Sequence, residues 1–282
     1  HFHDEPICTI TWYSLFQISE NISKAGIPVV LTGHGGDELL GGYWDHYHYN
    51  FTDLRKTKEL SLLNDEETAW FQNHARDPKE MLLSKEFIEK SFSENRNEIN
   101  HFSRYLDVIS PEATHFIDHS FPDYKYSDGY LNRRLYLELL YETVPASLHA
   151  EDRNTMAFSV ESRIPFLDYR LIEFAFSLPN RFKIRKGLGK WLLRESMKGI
   201  LPEKVRTRKD KAGFVAPASD WFKTKNRSEI KELLHSDHLK SLGIFNQERI
   251  LNYFDEHVTN KHDHHMIIWN WINFAIWAKM FN

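Results

Sequence analysis

The sequence predicts an α/β protein that is mostly helical, with few parallel strands. Two observations carry this reading. The apolar run Ile27-Pro28-Val29-Val30-Leu31 has the length of a short buried strand and leads into a loop with five glycines between Gly33 and Gly42. Most of the remaining chain places apolar residues at helical spacing, punctuated by proline and glycine. One strand against many helices is a lopsided inventory, so the other strands of the sheet are expected upstream.

Taken in order, Trp12 to Lys24 has helical spacing at Phe16, Ile18 and Ile22, with Gly26 placed to end it. The strand Pro28–Thr32 follows. From Asp45 to about Phe116 the chain is rich in charge and aromatics and reads as several helices, broken near Asn64, Pro78 and Pro111. Phe121-Pro122-Asp123 through Ser127-Asp128-Gly129 is a turn-rich connection. Tyr130 to Thr143 is an amphipathic helix with Leu131, Leu135, Leu139 and Leu140 on one face. Pro145 suits the first turn of the next helix, to about Phe158. Asp168 caps a helix running to Ser177, which Leu178-Pro179 ends. Lys190–Met197 is a short helix, and Pro202–Pro217 a loop. Helices follow near Ser228–His235, Gln247–His257 and Asp263–Met280, the last capped by Asp263. Organisation follows: residues 1–50 carry the strand and glycine loop, 51–128 a helical segment, 129–225 the motif-bearing part and 226–282 the terminal helices.

Composition narrows the function. Hydrophobic residues make up 41% and aromatics 14%, enough for a sizeable core. A formal charge of −4 argues against a nucleic-acid surface. Locally, Arg181 to Lys211 holds twelve Lys or Arg against three Asp or Glu, which suits a phosphate-facing segment. Cys8 is the only cysteine, so no intrachain disulfide forms, and a reducing, cytoplasmic setting fits. His1-Phe2-His3-Asp4 does not read as a signal peptide. Met266–Phe281 is apolar but is interrupted by Asn270, Asn273 and Lys279, and reads as a buried helix without a membrane partner. The histidines around His262, His264 and His265 lack the paired spacing of a zinc helix.

The loop Thr32-Gly33-His34-Gly35-Gly36-Asp37-Glu38, closed by Gly41-Gly42-Tyr43, holds the chemistry. Glycines let a ligand approach the backbone. Asp37 and Glu38 are the only carboxylates in it, and backbone N–H groups beside them suit a phosphate and its magnesium ion. Downstream stand Asp152-Arg153-Asn154-Thr155-Met156-Ala157, Ser159-Val160-Glu161-Ser162-Arg163-Ile164-Pro165-Phe166-Leu167-Asp168, Gly189-Lys190-Trp191-Leu192-Leu193-Arg194 and Arg206-Thr207-Arg208-Lys209-Asp210-Lys211-Ala212-Gly213-Phe214. Asp152-Arg153 and Glu161-x-Arg163 read as ion pairs, and Glu151 is a further carboxylate near the pocket.

In this order, the motifs resemble the synthetase domain of the asparagine synthetase family from Asp4-Glu5-Pro6 to about Phe222. The resemblance implies the carboxy-terminal part of an adenine nucleotide alpha hydrolase-like (PP-loop) domain. It implies an ATP-dependent ligase that forms an acyl-adenylate and releases AMP, with magnesium as cofactor. The acid would be aspartate or an analogue, and the acceptor ammonia or an amine. By the same resemblance Asp37 ligates magnesium, and Gly33, Gly35 and Gly36 line the nucleotide and acyl-adenylate pocket. Lys190 contacts phosphate, and Lys211 lies beside the scissile phosphate. The family's SGG-x-D-S loop and leading glutaminase cysteine are not in this sequence. The expected partners are therefore an upstream PP-loop half, with or without a glutaminase domain, and a homo-oligomer is also compatible. The chain alone is expected to be inactive.

His34 departs from the family's usual Gly-Glu-Gly. Its imidazole is either a base for the incoming amine or a spacer. The rivals are a ring-closing or secondary-metabolite amidating synthetase of the same fold, and a non-catalytic interaction domain.

Overall fold

The computed structural model describes residues 2–74, 103–116, 129–210 and 216–281. Helix α1 (Thr11–Lys24) is stopped by Gly26 in the left-handed region (φ +73°). The strand β1 (Val29–Leu31) then leads through the glycine loop into the short α2 (Gly36–Leu40). Helices α3 (Trp44–Lys56) and α4 (Leu60–His74) follow, then two 3-10 turns, Ser103–Val108 and Pro111–Phe116. Asn64 does not break α4, because asparagine costs an exposed helical turn little. The expected break at Pro78 and the turn-rich stretch Phe121–Asp128 lie outside the described residues.

Helix α5 (Tyr130–Leu140) and helix α6 (Thr143–Met156) are separate helices, the second with Pro145 in its first turn as expected. On α5 the buried face includes Leu131, Leu135 and Leu139, joined by Leu137 and Glu138, whereas Leu140 is 45% exposed. Its sequence position at the helix end, next to the turn into α6, takes it off the packed face. Strand β2 (Glu161–Arg163) pairs in parallel with β1, Val30 opposite Ser162. This second parallel strand is absent from the sequence reading. Glu-Ser-Arg carries none of the apolar alternation that marks a strand, and its backbone bonds to β1 decide it. The Glu161–Arg163 ion pair is present at 3.0 Å, whereas Arg153 pairs with Asp4 at 3.4 Å, not with Asp152.

Asp168 caps α7 (Tyr169–Ser177), accepting from the Arg170 N–H at 2.9 Å. The Arg170 side chain and that N–H hold its carboxyl down at about 2. Strands β3 (Ile184–Arg185) and β4 (Leu188–Gly189) form a two-residue hairpin whose turn residues Lys186 and Gly187 both have positive φ. Helix α8 (Trp191–Ser196) follows, and the expected loop Pro202–Pro217 contains one helical turn, α9 (Glu203–Arg206). The remaining helices are α10 (Ala218–Lys223), α11 (Arg227–Leu234), α12 (Asp237–Ser241), α13 (Gln247–Val258) and α14 (His265–Phe281). Asp263 accepts from the His265 N–H at the start of α14.

Three apolar cores hold these pieces. Phe51, Trp70, Leu131 and Leu135 lock α3, α4 and α5 together. Leu39, Leu40, Leu139, Val144 and Ala175 pack α2 against α5, α6 and α7. Phe222, Leu234, Phe254, Ile268 and Trp271 unite the terminal helices with Ile10, Tyr105 and Val108. The α2 core fixes the glycine loop. At roughly 25 cal/mol per Å² of buried apolar surface, five near-fully buried side chains anchor a one-turn helix that could not stand alone. Among the described residues no helix is long and apolar enough to cross a membrane.

Candidate active site

The parallel pair β1 and β2 ends at the glycine loop, and Thr32 N–H bonds the Arg163 carbonyl at 2.9 Å to fix the exit. Gly33 is exposed, with open space where a side chain would stand. Gly35 has φ +86°, and a Cβ there would meet Leu167. Gly36 is buried, and a Cβ there would stand 3.6 Å from the Phe166 ring, an ordinary contact. Positive φ and packing beneath the Pro165–Leu167 turn are therefore a sufficient reason for Gly35, whereas packing does not demand glycine at Gly36, and Gly33 opens onto free space.

The loop sends its two carboxylates in different directions. Glu38 is buried and accepts from the Tyr43 hydroxyl at 2.5 Å. Burial, and then Glu38 itself, keep that phenol strongly protonated. Asp37 stays partly exposed, with Oδ1 3.0 Å from Lys190 Nζ. Lys190 reaches it because β4 ends beside Leu40 of α2, where the Lys190 N–H donates to the Leu40 carbonyl at 3.0 Å. Gly42 is needed beside them, since a Cβ there would overlap Asp37 Oδ1 and crowd Lys190 Cε.

Asp37 and Lys190 line one cavity of about 540 Å³. Trp44, Trp70 and His74 form an aromatic wall, and Arg194, Arg208 and Lys209 add positive charge. Lys211, expected beside the phosphate, lies outside the described residues. The basic stretch from Arg181 is largely used elsewhere. Lys183 is fully buried, and Arg185 and Lys186 sit over the Trp191 ring. Two carboxylates line the cavity, Asp37 and Asp210, the second paired with Arg208 at 3.1 Å; magnesium binds through one or two carboxylates plus substrate phosphates. The donor set thus fits a phosphate-bridged ion.

His34 stands apart from this cavity. Its Nε2 pairs with Glu151 Oε2, and the Ser162 hydroxyl donates to Glu151 Oε1. The Glu151 hydrogen bond raises the imidazole's pKa above its usual 6.5, against the opposing effect of burial. Burial pushes the Glu151 carboxyl up, but bonds from His34 and Ser162 bring it net below 4.5. The structure therefore joins Asp37 to Lys190 and His34 to Glu151.

A buried network underneath went unread in the sequence. His46 Nδ1 accepts from the Tyr43 N–H at 3.3 Å, so its Nε2–H donates to Glu138 at 2.8 Å. Arg134 spans Glu138 at 2.9 Å and Asp45 at 3.5 Å. Asp45, His46 and Glu138 are close enough to hold a metal, and Arg134 pairs with both carboxylates of that cluster. The signal was an Arg-x-x-x-Glu pair at helical spacing on α5; its partner on α3 is 92 residues away.

These features define a mostly helical α/β domain with a cationic cavity beside its glycine loop, and comparison gives its family. The profile described as asparagine synthase matches residues 1–279, and the chain belongs to that family. It is 26% identical to asparagine synthetase [glutamine-hydrolyzing] 1 of Bacillus subtilis (strain 168), over 99% of this chain and 44% of that protein. A second protein of the same strain, asparagine synthetase [glutamine-hydrolyzing] 3, is 28% identical over 76% of the chain and 31% of its own length. Amidase chry2 of Gibberella zeae is 22% identical over 86% of the chain and 40% of its length. The chain spans less than half the length of these relatives.

Proposed function

We propose that this chain is the carboxy-terminal part of a PP-loop synthetase domain in an AMP-forming, ATP-dependent amide ligase. Aspartate or an analogue is the acid, and ammonia or an amine the acceptor. The observation that carries the reading is the Asp37–Lys190 pair, set in a cationic cavity where the glycine loop leaves the parallel strands. Leu31, 73% exposed on β1, supports a sheet that continues beyond this strand pair, as the fold would require of an upstream half.

In the first step a carboxylate oxygen forms a bond to the α-phosphorus, and the bond to pyrophosphate breaks. The leaving group gains negative charge, which Lys190, Arg208 and Lys209 offset in a partly desolvated cavity. Asp37 would hold magnesium against the phosphates, where the ion supplies Lewis-acid charge. Lys211 adds a compact cation by family resemblance. In the second step the amine nitrogen bonds to the acyl carbon, and AMP departs with the electrons of the broken C–O bond. The amine's proton passes to a base. Glu151 holds the His34 ring in place and stabilises its protonated form, so His34 accepts a proton only above its raised pKa. That chemistry suits an acceptor other than ammonia equally well, and keeps a ring-closing or other amidating synthetase as the second reading.

The test is product identity. The complete protein, given ATP, aspartate and ammonium, is expected to release AMP and pyrophosphate in equal amounts by phosphorus NMR. ADP and inorganic phosphate would contradict the reading. AMP release only with a different acid or amine would favour the second one.

A further inference from the structure

We infer that Arg194 is a positioning residue that staples the cationic wall of the cavity in place. Its guanidinium spends its donors on main-chain carbonyls. Nε donates to Gly189 at 2.8 Å, and Nη1 to Arg206 at 2.7 Å and Arg208 at 2.8 Å. These three carbonyls belong to β4, the end of α9 and the segment after it. Gly189 precedes Lys190, and Arg208 precedes Lys209, so one side chain ties together the two stretches that bring cations to the cavity. The tie is returned by Arg206, whose Nη1 donates to the Arg194 carbonyl at 3.3 Å, while Glu203 and Glu195 hold Arg206.

The chemistry calls for arginine. Its planar fork presents five fixed N–H donors and no acceptor, so it can satisfy several carbonyls in different directions. Lysine offers a point charge on a flexible stem. Among the described residues, the segment after α9 is otherwise held by its own turn: the Thr207 and Arg208 N–H groups bond back to the Glu203 and Val205 carbonyls, and Arg208 pairs with Asp210 at 3.1 Å. Loss of the staple would let Arg208 and Lys209 move without unfolding the core.

The inference rests on the reading of the cavity as the site for pyrophosphate and ATP, and its test separates the two. The complete protein is compared with Arg194→Met, Arg194→Lys and, as a control on the site itself, Lys190→Met. Hydrogen exchange of the Thr207 and Arg208 amides and pyrophosphate–ATP exchange are measured on each. In Arg194→Met the two amides should lose protection, and KM for pyrophosphate should rise about tenfold, the effect of one charge-assisted hydrogen bond. KM for aspartate should stay within about twofold. Arg194→Lys should fall between. A merely structural defect would lower the fraction of active molecules and leave both KM values alone, and that result would overturn the inference. Unchanged amide protection in Arg194→Met would overturn it too. Loose amides with normal pyrophosphate KM in Arg194→Met, beside a raised KM in Lys190→Met, would reject the positioning role and leave the site standing. Normal values in both variants would reject the site as well.

Discussion

At the scale of the residue, His34 carries the most information. The sequence showed that an imidazole replaces the usual carboxylate, and the proton chemistry depends on a partner 117 positions away. Nothing local in Gly33-His34-Gly35 identifies Glu151, because the pairing is made where the loop after β1 meets helix α6. Asp37 and Lys190 were legible one by one, through motif order, and only the fold shows that they touch. Two outcomes follow from the His34–Glu151 pair. If His34 is the proton acceptor, amide formation should rise with pH through a value above 6.5, and His34→Gln should flatten that limb and slow amide formation about a hundredfold. Pyrophosphate exchange in the same variant should change little; an unchanged pH profile would make His34 a spacer. The pair also links to stability. His34 binds its proton more tightly when folded, so its contribution is complete below pH 6.5 and fades as pH rises through the raised value. Glu151 has the opposite sign: its contribution is present above 4.5 and fades as pH falls through its lowered value. Thermal unfolding of wild type and Glu151→Gln between pH 4 and 9 checks both limbs, with the wild-type advantage expected in the middle of that range.

At the scale of the element, helices were read well and short strands poorly. Amphipathic periods mark α5 and α13, an apolar run marks α14, and Asp168 and Asp263 mark their helix starts by capping chemistry. A three-residue strand made of Glu-Ser-Arg has no pattern to read; its identity comes from the Pro28–Leu31 backbone beside it. The hairpin β3–β4 was equally hidden, although Lys186-Gly187 is a turn of the positive-φ kind. That hairpin positions Lys183, which has no side-chain role in the sequence reading. It is fully buried, donates to Asn132 Oδ1 at 2.5 Å and the Leu178 carbonyl at 3.3 Å, and burial lowers its pKa to about 8. The unfolded chain therefore binds more protons than the folded one between about 8 and 10.5, and stability should rise with pH across that window. Urea midpoints from pH 8 to 10 should show the rise in wild type and lose it in Lys183→Met. Gly42 offers a cleaner test of loop geometry. Its Cβ would displace Asp37 and Lys190 together, so Gly42→Ala should slow pyrophosphate exchange about a hundredfold. Normal exchange would mean that the pair is not part of the site.

At the scale of the molecule, β1 and β2 form a parallel sheet of two strands among the described residues, with apolar β1 side chains left in solvent and β2 packed against α6, the helix that precedes it. The cationic cavity draws its walls from α3, α4, β4 and the segment after α9, which are spread over more than 160 residues. No window of sequence contains it, which is why motif order was the better guide than local chemistry. The family profile spans nearly all of the chain, and the relatives extend well beyond it. On the function proposed above, the 282 residues alone are expected to be inactive. The decisive measurement is aspartate-dependent exchange of labelled pyrophosphate into ATP by the complete protein, wild type against Asp37→Asn. Exchange that requires aspartate and magnesium, and that falls at least a hundredfold in Asp37→Asn with an increased magnesium requirement, is the expected result. Exchange that survives Asp37→Asn undiminished would contradict the account.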